Sequence, residues 1–230
     1  MVAKVKDNRI AAVVVAAGSG QRMNTESYPK QYIKINGKNL INHAVDAFVN
    51  HKKIDKIIIA INPQDQQLFN AAIPQADYPT IISVAGGKER QNSVCNALEA
   101  LEQYDPKYVL IHDAARPFLS KALIDRVIKG LELSTGVIPA LPITDAIKRI
   151  EKNRIVGNVG RSGLYTAQTP QGFVYRDILM CHRLSKFSLH VDDSSLLEAY
   201  NLPVTIVLGD YANVKITNAE DLKITERVLQ

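Results

Sequence analysis

Three short stretches of this sequence gather glycines, cations and a carboxylate in a way that suits phosphate chemistry. The first is Ala16-Ala17-Gly18-Ser19-Gly20-Gln21-Arg22-Met23, with Pro29-Lys30-Gln31 close behind. Small residues and glycines let a backbone approach a phosphate and aim its N–H groups at the oxygens. Arg22 and Lys30 would add positive charge. The stretch lacks the Gly-Lys-Ser/Thr of a Walker A loop, and Met23 stands where a dinucleotide fingerprint has its third glycine. A plain strand-end turn is the alternative.

The second stretch is Gly86-Gly87-Lys88-Glu89-Arg90-Gln91-Asn92-Ser93. Its paired glycines suit either a simple turn or a backbone surface for a flat base, with the Ser93 hydroxyl at the base's edge. The third is His112-Asp113-Ala114-Ala115-Arg116-Pro117. A carboxylate closing a buried strand is a place for Mg²⁺ bridging to phosphates, or else a helix cap or an Asp113–Arg116 ion pair. His112 reads as a hydrogen-bonded structural histidine, and His43, His51, His182 and His190 show no ligand spacing.

The sequence offers no persuasive Ser-His-Asp or Cys-His set, no GxSxG elbow and no HExxH. One mechanism makes that absence informative. A phosphate monoester, with a second pKa of about 6, is already a nucleophile at neutral pH and needs no general base. Alignment and cations facing the charge that builds on the attacked phosphorus are then sufficient.

The elements that must position these loops follow the rhythm of strands crossing over through helices. Strands are expected at Ile10–Ala16, Lys56–Ile61, Thr80–Val84, Tyr108–His112, Val137–Leu141 and Thr205–Leu208. Helical periodicity marks Leu40–Phe48, Val94–Leu101, Leu119–Leu133, Val174–Leu184, Ser194–Tyr200 and Ala219–Leu229. The rhythm breaks between Pro142 and Gly172. There Lys148–Ile150 and Arg154–Val156 flank a turn at Glu151-Lys152-Asn153, a piece too polar to join the central sheet. The fold expected is α/β: a Rossmann-like, doubly wound, mostly parallel sheet forming a single domain over residues 1–230, with a β-arm protruding at about 142–172. Ligands of such sheets bind beyond the carboxyl ends of the strands.

Composition narrows the classes further. With 46% hydrophobic and 22% charged residues in 230, the chain can bury a core. A net charge of +5 without a basic block argues against nucleic acid as partner. The cysteines, Cys95 and Cys181, lack metal or disulfide spacing and suit a reducing compartment. Lys4, Lys6 and Arg9 ahead of Ile10–Ala17 imitate a secretory signal, but the run is short and β-branched. No stretch approaches the ~18 apolar residues of a spanning helix. A cytoplasmic protein without a membrane partner is expected.

Taken together, these segments closely resemble the 2-C-methyl-D-erythritol 4-phosphate cytidylyltransferases of the non-mevalonate isoprenoid pathway. The likeness runs from about Ile10 to about Leu229. It rests on the stretches at 16–23, 29–32, 86–94 and 112–117, continued by Thr-Ala-Gln-Thr-Pro-Gln-Gly-Phe (166–173) and Gly-Asp-Tyr-Ala-Asn-Val-Lys-Ile-Thr (209–217). The resemblance implies a nucleotidyltransferase fold, CTP and a small polyol phosphate as substrates, Mg²⁺, pyrophosphate release and a homodimer whose arms embrace. By position it implies Arg22 and Lys30 as catalytic residues. Ala16, Ala17, Gly18, Gly20, Gly86, Gly87, Arg90, Ser93, Asp113 and Ala114 would hold the nucleotide, with Asp113 also at the metal. Arg161 (reaching the partner's site), Lys215 and Thr169 would position the acceptor.

The chain departs from that family pattern at Ala146 and Val191, where the family usually has threonines on the acceptor side; Thr144 or Ser194 could substitute. The stretches at 138–145 and 167–173 are similar to forms in which this domain is fused to a cyclodiphosphate synthase. The rival readings are a ribitol-5-phosphate cytidylyltransferase and a nucleotide-binding regulator without turnover. Ala16-Ala17-Gly18 and Ala115 favour the isoprenoid enzyme over the first, and intact Arg22, Lys30, Asp113 and Lys215 argue against the second.

Overall fold

The structure is a computed structural model and describes residues 9–18, 28–218 and 220–223. Its elements in chain order are β1 (Ile10–Ala16), β2 (Lys34–Ile35), β3 (Lys38–Asn39), α1 (Leu40–Val49), β4 (Ile54–Ile61), α2 (Gln66–Ala72), β5 (Ile81–Ala85), α3 (Arg90–Ala100) and β6 (Tyr108–Asp113). They continue with α4 (Lys121–Gly130), β7 (Gly136–Pro142), β8 (Ile147–Glu151), β9 (Arg154–Val159), β10 (Tyr165–Ala167), β11 (Gln171–Val174), α5 (Tyr175–Leu184), α6 (Asp193–Ala199) and β12 (Val204–Leu208). Residues 220–223 are helical, and the rest of the expected Ala219–Leu229 helix lies outside the described residues.

β1 is an almost continuous apolar run because both of its faces are covered, as in parallel sheets flanked by helices. Its alternate residues divide between two cores. Ala12, Val14 and Ala16 pack with Ile41, Val45 and Phe48 of α1 and Leu123, Ile124 and Val127 of α4. Ala11 and Val13 pack with Val94, Ala97 and Leu98 of α3, Ile178 of α5 and Leu197 of α6. The period of two along the strand thus sends successive methyl groups into opposite layers.

Strands β5, β4, β1 and β6 run parallel in that spatial order, with β1 between β4 and β6. Beyond β6 the pattern changes. β11 inserts antiparallel between β6 and β7, pairing Gln171 with Ile111 and Gly172 with Val137. β10 precedes it along the same side of β7, pairing Tyr165 with Pro142. Residues 165–167 and 171–174 therefore belong to the main sheet, which corrects the expectation that the break in rhythm runs unbroken to Gly172. Their backbones complete the ladder although their side chains carry no long apolar run. Between Pro142 and Gly172 it is the β8–β9 hairpin that forms a separate two-stranded sheet, as β2 and β3 do earlier in the chain. Lys152 and Asn153 at its tip have φ of 45° and 63°, the left-handed pair that a tight hairpin turn requires.

The register brings the business ends together. Ala16 pairs with Ile61, Ile61 with Ala85, and Val15 with Asp113. The loops that leave β1, β5 and β6 therefore emerge side by side at one edge of the sheet.

Candidate active site

Those loops enclose a cleft of about 310 Å³, within the range of small-molecule sites. Ala16, Ala17, Gly18, Lys30, Gly87, Arg90, Ser93, Asp113, Ala114 and Lys215 all line it, together with Gln31, Lys88 and Ala115. Gly20 and Arg22 lie outside the described residues. So most of the expected nucleotide residues, drawn from three separated stretches of chain, meet in one hollow.

The glycine loop is held tightly from behind. A Cβ on Gly86 would lie 2.3 Å from the Ala17 Cβ, so this residue must be glycine for the first two loops to touch. Gly86 N–H donates to the Ile61 carbonyl at 2.7 Å. The Ser93 hydroxyl, buried at the start of α3, accepts from Gly87 N–H at 3.0 Å and donates to the Glu89 carbonyl at 3.2 Å. Ser93 thus fixes the loop that forms the cleft wall. Among the described residues, none comes within 4 Å of where a Cβ on Gly18 would lie.

Charge gathers on the opposite wall. Asp113 ends β6 with both carboxylate oxygens engaged: Arg90 Nε donates to Oδ1 at 3.0 Å and Lys215 Nζ to Oδ2 at 2.6 Å. Burial alone would raise its pKa, but Arg90 and Lys215 outweigh burial and hold the carboxyl well below the usual range. Arg116 is not the partner expected for Asp113. Its guanidinium donates instead to the carbonyls of Asn213 and Ala167, tying the β6 loop to the 209–217 segment. Lys30 sits on a short 3₁₀ turn whose Gln31 is anchored on buried Asp65 at 3.2 Å. Its Nζ donates to the carbonyl of Ile216 at 3.2 Å, beside Lys215.

Two expected acceptor-side groups are placed elsewhere. Thr169 does not face the cleft: it is 5% exposed, and its Oγ1 accepts from Asp113 N–H at 3.1 Å and lies 2.9 Å from His112 Nδ1. Burial lowers the His112 pKa to about 4, so the ring is neutral, accepting from Thr169 and donating from Nε2 to the Arg116 carbonyl at 3.0 Å. Both side chains are struts beneath Asp113. Ser194 is also buried and bonds to Asp192, so it cannot stand in for the hydroxyl absent at Val191, which is exposed. Arg161 lies at the base of the arm, bonded to the Thr144 carbonyl, and does not line the cleft of its own chain.

One participant escaped the reading of the sequence. Asp193, 1% exposed at the start of α6, accepts from Arg90 Nη1 at 2.7 Å. Arg90 is thereby clamped between Asp113 and Asp193. The Val-Asp-Asp stretch at 191–193 was the available signal, but nothing in its spacing points to Arg90, which stands 103 residues away.

A mostly parallel sheet with glycine-backed loops, clustered cations and a buried carboxylate, Asp113, at its carboxyl edge is the architecture of a nucleotidyltransferase. A sequence model of the 2-C-methyl-D-erythritol 4-phosphate cytidylyltransferase family (IspD) matches residues 10–230, and the chain belongs to that family. It is 42% identical over 229 residues to the bifunctional enzyme IspD/IspF of Chelativorans sp., covering 97% of this chain and 56% of the relative. The chain spans about half the length of the curated relatives it matches. Among solved structures it is similar to the 4-diphosphocytidyl-2C-methyl-D-erythritol synthase of Anaerococcus prevotii, with a TM-score of 0.84 and 31% identity, covering 97% of each chain. It is also similar to the 2-C-methyl-D-erythritol 4-phosphate cytidylyltransferase of Thermus thermophilus, with a TM-score of 0.80 and 29% identity over 96% of this chain and 98% of that one.

Proposed function

We propose that this chain transfers the cytidylyl group of CTP to the phosphate of 2-C-methyl-D-erythritol 4-phosphate, giving 4-diphosphocytidyl-2-C-methyl-D-erythritol and pyrophosphate. The observation that carries this reading is the convergence of Lys30, Arg90, Lys215 and Asp113 around glycine-backed loops in one cleft. A phosphate oxygen of the acceptor forms a bond to the α-phosphorus of CTP. The bond from that phosphorus to the bridging oxygen breaks, and pyrophosphate leaves with the electron pair. No proton need be removed from the nucleophile, because a phosphate monoester is largely dianionic at neutral pH.

The residues then have separable tasks. Backbone N–H groups along 16–18 cradle the triphosphate, and the 86–87 loop, its own N–H groups held by Ile61 and Ser93, walls the cleft beside it. Lys30, with Arg22, faces the charge that grows on the α-phosphate, where fixed cations act most strongly. Lys215 and Arg161 hold the acceptor phosphate, Arg161 from the arm of a second copy in a homodimer. Asp113 suits a metal carried in by phosphates, since Mg²⁺ commonly takes one protein carboxylate and completes its shell with phosphate oxygens and water. When bound there, Mg²⁺ would neutralise charge on the triphosphate. CTP is an intracellular metabolite, and we place the protein in the cytoplasm.

Pyrophosphate release measured with CTP and methylerythritol phosphate tests the proposal, with ATP, UTP and ribitol 5-phosphate as controls. Turnover confined to CTP with methylerythritol phosphate is expected. Preference for ribitol 5-phosphate, or CTP binding without pyrophosphate from any acceptor, would overturn it.

A further inference from the structure

His182 lies on α5, 1% exposed, and does not line the cleft. Its Nε2 stands 3.3 Å from Asp193 Oδ1, off the line of a good hydrogen bond, and neither ring nitrogen has a hydrogen bond among the described residues. Buried polar atoms are rarely left so. The other oxygen of Asp193 receives Arg90 Nη1 at 2.7 Å, and Arg90 Nε reaches Asp113 at 3.0 Å. A continuous line of charged and polar groups therefore runs from His182 through Asp193 and Arg90 to the floor of the cleft.

Each link restricts the next. Burial alone would raise the pKa of Asp193; Arg90 outweighs burial, His182 adds to the same side, and the carboxyl stays below its usual range. An ionised carboxylate held inside a protein needs partners on both oxygens, and His182 is what faces Oδ1. Without it the Oδ1 side of the carboxylate loses the polar group it faces, and the anchor that Asp193 gives Arg90 is less firmly oriented. A guanidinium contributes to binding in proportion to how well its planar fork is held in advance.

We propose that His182 is a positioning residue for the nucleotide, fixing through Asp193 the guanidinium of Arg90 that lines the cleft. It touches no substrate. The inference rests on the reading of the cleft as a CTP site.

The test compares His182→Leu, His182→Gln and Asp193→Asn with the wild type. CTP affinity is read by calorimetry, and KM is read separately for CTP and methylerythritol phosphate. His182→Leu should raise the CTP Kd and KM roughly tenfold, the scale on which supporting partners of ligand-holding groups act, with acceptor KM unchanged. Glutamine can place an N–H near the position of Nε2, so His182→Gln should recover most of the loss. Asp193→Asn should shift the CTP values in the same direction as His182→Leu and serves in its place if that variant does not fold. Lowered thermal stability with CTP values unchanged would show mere packing and overturn the inference. So would equal losses for both substrates, or no difference between Gln and Leu. A wild type that binds no CTP overturns the reading of the cleft itself, which the variants' comparison alone cannot do.

Discussion

Lys215 Nζ donates to Asp113 Oδ2 across 2.6 Å, although 102 residues separate the two in the chain. The cation and the carboxylate neutralise each other within the cleft, where an arriving phosphate or metal would compete for them. Lys215→Met is therefore expected to lower kcat/KM at least ~100-fold, the typical cost of losing one fixed donor to transition-state charge. Lys30→Ala should lower kcat comparably. Neither should greatly change thermal stability, since Arg90 still holds Asp113. Turnover within a few-fold of wild type in either variant would refute its assigned role.

Gly86 and Gly18 should respond differently to alanine. The methyl of Gly86→Ala would meet Ala17 Cβ at 2.3 Å and force the loops apart, costing about 1–3 kcal/mol of stability. The methyl of Gly18→Ala meets nothing within 4 Å among the described residues, so its unfolding midpoint should match wild type while CTP affinity falls. Denaturant titration beside CTP calorimetry separates the two, and equal stability losses would contradict the packing described.

Thr169→Val removes the hydroxyl beneath Asp113 while keeping its shape. Burying the Asp113 N–H without its acceptor should cost about 1–3 kcal/mol. Thr169→Ser should restore it. A rise in acceptor KM without loss of stability would return Thr169 to the acceptor side.

Asp193 gives a pH signature. Its folded pKa lies below the unfolded value of about 3.9, so its stabilising effect is present above pH ~4 and is lost as pH falls through the folded value. Asp193→Asn should be about 3 kcal/mol less stable at pH 7, as when one partner of a buried pair is removed, and the gap should narrow below pH 4. Denaturant midpoints at pH 7, 5 and 3 measure this. A gap that widens on acidification would reverse the assigned sign.

Much of this architecture could be read from residue patterns. β1 was legible to the residue because a strand covered on both faces must be apolar throughout. The nucleotide loops were legible because glycines and cations mark the ends of such strands. β11 was not: its pairing depends on backbone groups that every residue carries, and Gln171-Gly172-Phe173-Val174 has no distinctive period. The inward turn of Thr169 escaped too, because the surrounding motif says which residues occur but not which way a side chain points. The Arg90–Asp193–His182 line joins α3, α6 and α5, and no spacing along the chain encodes a contact made between helices.

The pairing of Tyr165 with Pro142 carries a consequence for engineering. The chain leaves the sheet at Pro142 and re-enters it at the same rung, at Tyr165, so the ends of the excursion are held together by the sheet itself. Doubling the length of such an excursion costs only ~0.6 kcal/mol of closure entropy. The turn at Lys152-Asn153 is accordingly a port where a reporter or tether could be spliced in, leaving the core to close beneath it.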